Sequence, residues 1–387
     1  MHSTAWTGGA TRLAAPQVIQ SSRMSVAFPA ESERLALIML FTALRDMQWR
    51  RWRFVIAIVV TGLVFAMTLV LTGLANGFRV EDERTVDSLG VDMFLIKSGA
   101  TGPFLGSAPF PAAELQVVAA TPGVVAAAPL AYKGATFKNG DSTHPGAMFG
   151  APAGGPGMPA MSEGRAPSST DELAVSSTIG RQIGEQLEVG SRKLRIVGIV
   201  NNSTSLAKTP NLFVTTEGVQ QLEFGGQPLI SSIGIRGTLS QIPDGYRVVD
   251  RDVAVDDLMR PTKIAVQAIR IVAILLWIVA ALIVGGVVYL SALERMRDFA
   301  VFKAIGVATR SVLAGLVLQA TLVAILAAAF GAGLARLLAP LFPMNVIEPI
   351  SAYPVLAVIA VGVGLLASAT AVQRAATVDP AHAFGGP

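Results

Sequence analysis

Four runs of about twenty apolar residues constrain this chain more than anything else in it. They occupy residues 54–74 ("FVIAIVVTGLVFAMTLVLTGL"), 268–290, 312–334 and 352–371. A helix rises about 1.5 Å per residue, so roughly 20 such residues cross a hydrocarbon core of about 30 Å with every backbone group bonded internally. Core helices of soluble proteins rarely stay apolar all round for that length. Composition agrees: of 387 residues 52% are hydrophobic and 14% charged, against roughly a quarter charged in soluble domains, and the mean hydropathy is +0.56. The reading is an α-helical membrane protein with four transmembrane helices and one large α+β extracytoplasmic domain between the first and second. A secretory leader is a poor account of the first run, which 53 residues precede and which no small-residue cleavage site follows.

The boundaries follow from composition. Residues 1–34 show no periodicity and read as an unstructured tail, and 35–53 as an amphipathic interfacial helix leading into the first span. Residues 75–267 form the inserted domain, 291–311 a loop between spans two and three, 335–351 a short outer loop and 372–387 a tail. Trp49, Arg50, Arg51, Trp52 and Arg53 make a basic, aromatic belt of the kind that anchors a helix at the cytoplasmic interface. The loop 291–311 carries Arg295, Arg297, Lys303 and Arg310, whereas 335–351 carries Arg336 alone. Short-loop charge therefore places both termini and the 291–311 loop in the cytoplasm, in a multi-pass protein of the cell membrane.

The inserted domain holds 16 Lys+Arg against 19 Asp+Glu, a net −3; the rest of the chain holds 14 against 7, a net +7 concentrated beside the apolar runs. That pattern suits membrane anchoring and not a nucleic-acid surface. Within the domain 92–97, 193–200, 211–215 and 231–237 read as strands. The segment "PAAELQVVAATPGV" reads as a helix opened by Pro111 and closed at Thr121-Pro122-Gly123. The Pro/Gly/Met-rich stretch 144–167 reads as a loop or linker dividing the domain. "EDERTVDSLG" reads as a short linker after the first span, and the acidic groups Glu81-Asp82-Glu83 and Asp256-Asp257 as solvated surface.

The motif search excludes several chemistries. There is no G-x-x-x-x-G-K-[ST] to cradle ATP phosphates, no G-x-S-x-G and no H-E-x-x-H. Cysteine is absent, and the three histidines, His2, His144 and His382, lack ligand-spaced partners. The chain is read as holding no cofactor or metal of its own and as no enzyme. Inside the spans Gln319 is the one amide, and helix–helix hydrogen bonding explains it better than substrate contact. The small-residue pairs Gly62 with Ala66, Gly331 with Ala335 and Gly364 with Ser368 favour close helix packing.

The loop "RMRDFAVFKAIGV" resembles the coupling segment of FtsX-like (MacB-like) permeases of ABC transporters. "LGVDMFLIKSG", "PAAELQVVAATPGVVAAAPL" and "DELAVSSTIGRQIGEQLEVGSRKLRIVGIV" are similar to that family's extracytoplasmic domain. The tail "QRAATVDPAHAFGG" resembles its ending, and the start from "LFTALRDMQWRRWRF" its DevC-type branch. The order of these motifs around the spans, from about residue 35 to the end, is more specific than any one of them.

The resemblance implies a permease subunit, working as a two-fold dimer with two copies of a separate cytoplasmic ATPase that binds the ATP and Mg. It also implies that the loop docks into that ATPase. Physically, Arg295, Arg297, Asp298 and Lys303 keep a short helix out of the bilayer, and Phe299, Phe302 and Ile305 offer apolar anchors at helical spacing. Gly306 can close the helix. Charge alone does not separate this reading from an ordinary cytoplasmic loop. Export or extraction of an amphipathic substrate ranks first, mechanical signalling without transport second and solute import third. The matching extracytoplasmic partners are an adaptor, a hydrolase and a binding protein.

Overall fold

The structure, a computed structural model, describes residues 51–294 and 309–376. Its longest helix, α1, runs Arg51–Ser88 without a break. Thirty-eight residues make a rod of about 57 Å, nearly twice the hydrocarbon thickness. The segment "EDERTVDSLG" is therefore mostly the outer end of α1 and not a linker: Arg79 Nε donates to Glu83 Oε1 at 2.7 Å across one helical turn, and left-handed Gly90 (φ 60) follows the helix end.

The inserted domain begins with β1, Met93–Lys97, and the short helix α2, Glu114–Ala119. It continues through β2, Val124–Asn139, β3, Ser142–Gly150, β4, Glu172–Ser176, β5, Gln186–Val189, β6, Arg192–Val200, and β7, Thr209–Val214. Helix α3, Thr216–Glu223, capped by the Thr215 hydroxyl, then leads to β8, Ser232–Gly237, and β9, Tyr246–Val249. Helix α4, Arg251–Leu258, with Asp250 as its N-cap, ends the domain.

The sixteen-residue β2 organises both halves. Its first half closes the antiparallel sheet β9–β1–β8–β2. Its second half pairs with β3 and, at Phe137 and Lys138, with β5. The pairing continues β3–β7–β4–β6–β5, so six strands close on themselves into a barrel. Closure removes the exposed edges. The barrel is filled by Phe137, Met148, Leu173, Leu187, Ile196 and Leu212 among others. In β1 the two-residue period is visible: Phe94 and Ile96 join one core and Leu95 the other. The stretch 144–167 is thus no linker. Its first part is β3, whose Met148 and Phe149 are buried, and Met158 beyond it is buried too.

Helix α5, Lys263–Glu294, α6, Thr309–Leu338, and α7, Ala352–Ala376, form a bundle with the inner part of α1. Three helices among the described residues are long and apolar enough to cross a membrane, in α1, α5 and α6; the fourth apolar stretch covers Ala352–Leu366 of α7. Helix α6 is central, packed on α1 and α7. A Cβ on Gly331 would lie 2.7 Å from the Gly62 carbonyl oxygen, and one on Gly62 2.5 Å from Phe330 Cδ1. The small pairs of α1 and α6 are therefore spent on each other, within one chain. Gly364 makes the equivalent approach to Thr321.

Candidate functional site

Where α1 leaves the bundle, one face of it carries Gly73, Gly77, Glu81 and Thr85, spaced four apart and so stacked along the helix. All four are buried, and Asp82 beside them is fully buried. Glu81 and Asp82 were expected at a solvated surface, but the domain covers them. The loop between β6 and β7 supplies donors in their place. Leu206 N–H donates to Asp82 Oδ1 at 3.1 Å, Lys208 N–H to Glu81 Oε2 at 2.9 Å, and the Thr204 hydroxyl to Glu81 Oε1 at 3.0 Å.

Leu206, Ala207 and Lys208 are all left-handed (φ 51, 62 and 71). That conformation costs a non-glycine residue roughly 1–2 kcal/mol. It also turns backbone N–H groups toward one side, where they form an anion-binding concavity. Here the concavity faces the two carboxyl groups of α1, whose hydrogen bonds hold the loop in this conformation. Below them the Thr85 hydroxyl donates to the Thr204 carbonyl at 2.8 Å. Asn211 Nδ2 donates to the Thr85 and Ser203 hydroxyls, each at 3.0 Å, and its Oδ1 accepts from Ser205 at 2.7 Å.

A third element meets the same face. The loop between α6 and α7 lays 345–348 along α1: Ile347 N–H donates to the Gly73 carbonyl at 3.0 Å, and Asn76 Nδ2 to the Ile347 carbonyl at 2.9 Å. Asn345 Nδ2 also donates to Glu81 Oε1. A Cβ on Gly77 would overlap the Asn345 carbonyl oxygen, so glycine there lets backbone lie on backbone. Glu81 thus receives donors from the domain and from the outer loop of the bundle at once. Between these elements lies a cavity of about 750 Å³, reached by Arg84, Asn202, Lys208 and Ile347.

The domain is tied back a second time. Arg251, the first residue of α4, donates through Nη2 to Asp87 Oδ2 at 2.8 Å. In the last turn of the same helix Asp257 is buried and accepts from Phe104 N–H and Gly106 N–H, both at 2.8 Å. Burial pushes both buried aspartates up. For Asp82 the result is about 7, since the Leu206 N–H only partly offsets desolvation and the neighbouring Glu81 charge adds to it. For Asp257 the two N–H donors oppose the rise.

Comparison with known proteins identifies the molecule. Residues 54–245 match the family model of the MacB-like periplasmic core domain, and 270–380 that of the FtsX-like permease C-terminal region. Two ABC transporter permeases of Mycobacterium tuberculosis strain H37Rv, Rv2563 and Rv0072, are 66% and 64% identical over 349 residues, covering 90% of this chain and 100% of each relative. The chain belongs to the FtsX-like family of ABC transporter permeases. The crystal structure of the extracellular domain of the ABC-type transporter YknZ is similar over 41% of the chain and 99% of its own length, at 12% identity and a TM-score of 0.31.

As an FtsX-like permease the chain is the membrane subunit of an ABC transporter, with a large α+β extracytoplasmic domain and no ATPase activity of its own. Family membership implies a cytoplasmic ABC ATPase as its partner. The residues assigned to that contact, Arg295, Arg297, Asp298, Phe299, Phe302, Lys303, Ile305 and Gly306, lie outside the described residues, as do Trp49 and Arg50. Of the belt, Arg51 is exposed, Trp52 is 73% exposed, and Arg53 donates to Glu294 Oε1 at 2.7 Å, joining the feet of α1 and α5. Gln319 is buried in the bundle on α6. Sequence reasoning missed the junction at Glu81 and Asp82. The signal available was the four-residue stripe from Gly73 to Thr85, continuing a helical period past the end of the apolar run.

Proposed function

We propose that this permease exports or extracts an amphipathic substrate, and that α1 acts as the lever carrying ATP-driven motion from the spans to the extracytoplasmic domain. One observation carries the reading: α1 runs unbroken from Arg51 to Ser88, and its outer end is fastened to the domain at Glu81, Asp82, Thr85 and Asp87. A displacement of the bundle then moves the domain without an intervening flexible joint. In this scheme α7 is the fourth crossing, both termini are cytoplasmic, and two copies work with two ATPases. Loop 291–311 docks into the ATPase, with Phe299, Phe302 and Ile305 as anchors.

An amphipathic cargo suits the spans. The buried polar side chains described within them are Thr61, Thr68 and Gln319, and Thr68 is bonded to its own helix at the Val64 carbonyl. That lining offers a hydrophilic solute little. Helix α5 leaves Ile271, Ile274, Ile278 and Leu282 at least half exposed, an apolar side for lipid or a second copy. Domain motion with nothing crossing is the second reading, favoured by the same fastening.

The test is ATP-dependent transfer of a fluorescent amphiphile from vesicles containing permease and ATPase to an aqueous acceptor protein. Extraction predicts transfer above that seen with a hydrolysis-dead ATPase. Domain movement without transfer would establish the signalling reading instead.

A further inference from the structure

The cavity beside Glu81 has a chemistry that the lever does not use. Glu81 lies seven residues beyond the end of the first apolar run, roughly 10 Å outside it along the helix, while Val346 and Ile347 reach back to the level of Gly73, so the cavity spans the headgroup layer and its outer edge. Arg84 of α1 and Lys208 of the strained loop both line it. Both side chains are exposed, and neither has an ion-pair partner among the described residues. This sets them apart from other cations nearby: Arg79, five residues before Arg84, pairs with Glu83, and Arg251 pairs with Asp87.

The acid in the wall, Glu81, is already occupied. Both its oxygens accept hydrogen bonds from the protein, so the cavity presents two free cations against one saturated carboxylate. Asn202, left-handed at φ 44 with its backbone N–H held by the Ser177 hydroxyl, adds a side-chain amide to the lining. Strained non-glycine residues that persist in a fold cluster at ligand clamps, and here Asn202 and Lys208 both reach the cavity. On the side toward the bundle the lining turns apolar at Val346 and Ile347. A charged wall facing outward and an apolar one facing the bundle match a molecule with an anionic head and a hydrocarbon tail.

We infer that this cavity binds the phosphate-bearing head of an anionic amphiphile, with Arg84 and Lys208 as its counter-charges. The inference deepens the extraction reading and rests on it for its biological meaning, but its test does not. The absence of cysteine allows one thiol to be placed at Ser88, which lines the cavity and whose hydroxyl bonds only the Thr85 carbonyl of its own helix. The full-length Ser88→Cys chain, labelled with an environment-sensitive fluorophore in phosphatidylcholine nanodiscs, is titrated with short-chain phosphatidylglycerol, short-chain phosphatidylcholine and inorganic phosphate.

Phosphatidylglycerol should change the signal at concentrations at least about tenfold lower than phosphatidylcholine, a difference worth about 1.4 kcal/mol. Arg84→Gln with Lys208→Gln should abolish that preference, bringing the phosphatidylglycerol response level with that of phosphatidylcholine, and Arg84→Lys should retain it. Displacement of phosphatidylglycerol by millimolar phosphate would identify the phosphate group as the whole determinant and a soluble phosphate ester as an equal ligand; no displacement would identify the lipid. Equal responses to both lipids, or an unchanged preference in the double variant, would overturn the inference. No ATP is involved. Binding without ATP-driven transfer would therefore sink the extraction reading and keep the site, and transfer without binding would do the reverse.

Discussion

Asp82 and Leu206, 124 residues apart in the chain, meet where α1 enters the extracytoplasmic domain: the Leu206 N–H donates to Asp82 Oδ1 at 3.1 Å. Asp82 Oδ2 is buried with no hydrogen-bond partner. The carboxylate is thus half satisfied, and its ionised form is costly.

The cost has a definite pH dependence. An ordinary aspartate ionises near 3.9, whereas burial pushes Asp82 up to about 7. Below the ordinary value the group is protonated folded or unfolded and costs nothing. Between the two values only the unfolded chain ionises, so stability falls as pH rises; above about 7 the penalty is complete. Asp82→Asn mimics the protonated form. Thermal unfolding midpoints of wild type and Asp82→Asn should lie close near pH 4 and diverge progressively as the pH is raised to 8, with the variant higher. Parallel profiles would show that Asp82 does not titrate in this range. Tyr132, itself pushed up by burial, and Glu81 are the other ionisable groups facing it.

Gly77 sets how closely the outer loop approaches α1. Gly77→Val places a side chain where the Asn345 carbonyl now lies, and overpacking of this kind typically costs 1–3 kcal/mol. Gly286 has nothing within 4 Å of a built Cβ, so Gly286→Ala should be neutral or slightly stabilising. The check is the unfolding midpoint together with disulfide formation between cysteines at Asn76 and Ile347, which Gly77→Val should suppress.

The coupling loop is tested by its partner. A buried aromatic anchor can cost about 2 kcal/mol or more when truncated, whereas exposed charges usually contribute under about 1 kcal/mol. Phe302→Ala should lose the ATPase in co-purification while the permease still inserts. Arg297→Ala should weaken binding less, and its effect should shrink at high salt, where exposed charges are screened. Full retention of the ATPase by Phe302→Ala would reduce the loop to a connector.

What could be read from the residues depended on how local the determining physics was. The spans at 54–74 and 268–290 are legible because twenty apolar residues in a row have few other uses. Strands β1 and β6 are legible because Phe, Leu, Ile and Val dominate them. Strands β2 and β3 are not: "VVAAAPLAYKGATFKN" and "STHPGAMFG" are rich in Ala, Gly and Pro, and they become strands because the barrel closes through them. Glu81 and Asp82 were misplaced for a related reason. An acidic run after a span belongs in water unless something else supplies donors, and here the donors come from 204–208. A run of three left-handed non-glycine residues is not readable from Leu206, Ala207 and Lys208 as residue types.

The lever is tested most directly by a distance across the assembled complex. Spin labels at Asp141→Cys, an exposed position at the tip of the β2–β3 hairpin, report the separation of the two extracytoplasmic domains of the proposed two-copy complex with and without ATP. A continuous α1 predicts that ATP shifts this distance in the wild type. A four-residue Gly-Ser insertion between Val80 and Glu81 should abolish the shift while complex assembly and ATP hydrolysis persist. A shift of the same size in the insertion variant would show that motion reaches the domain by another route and would contradict the account.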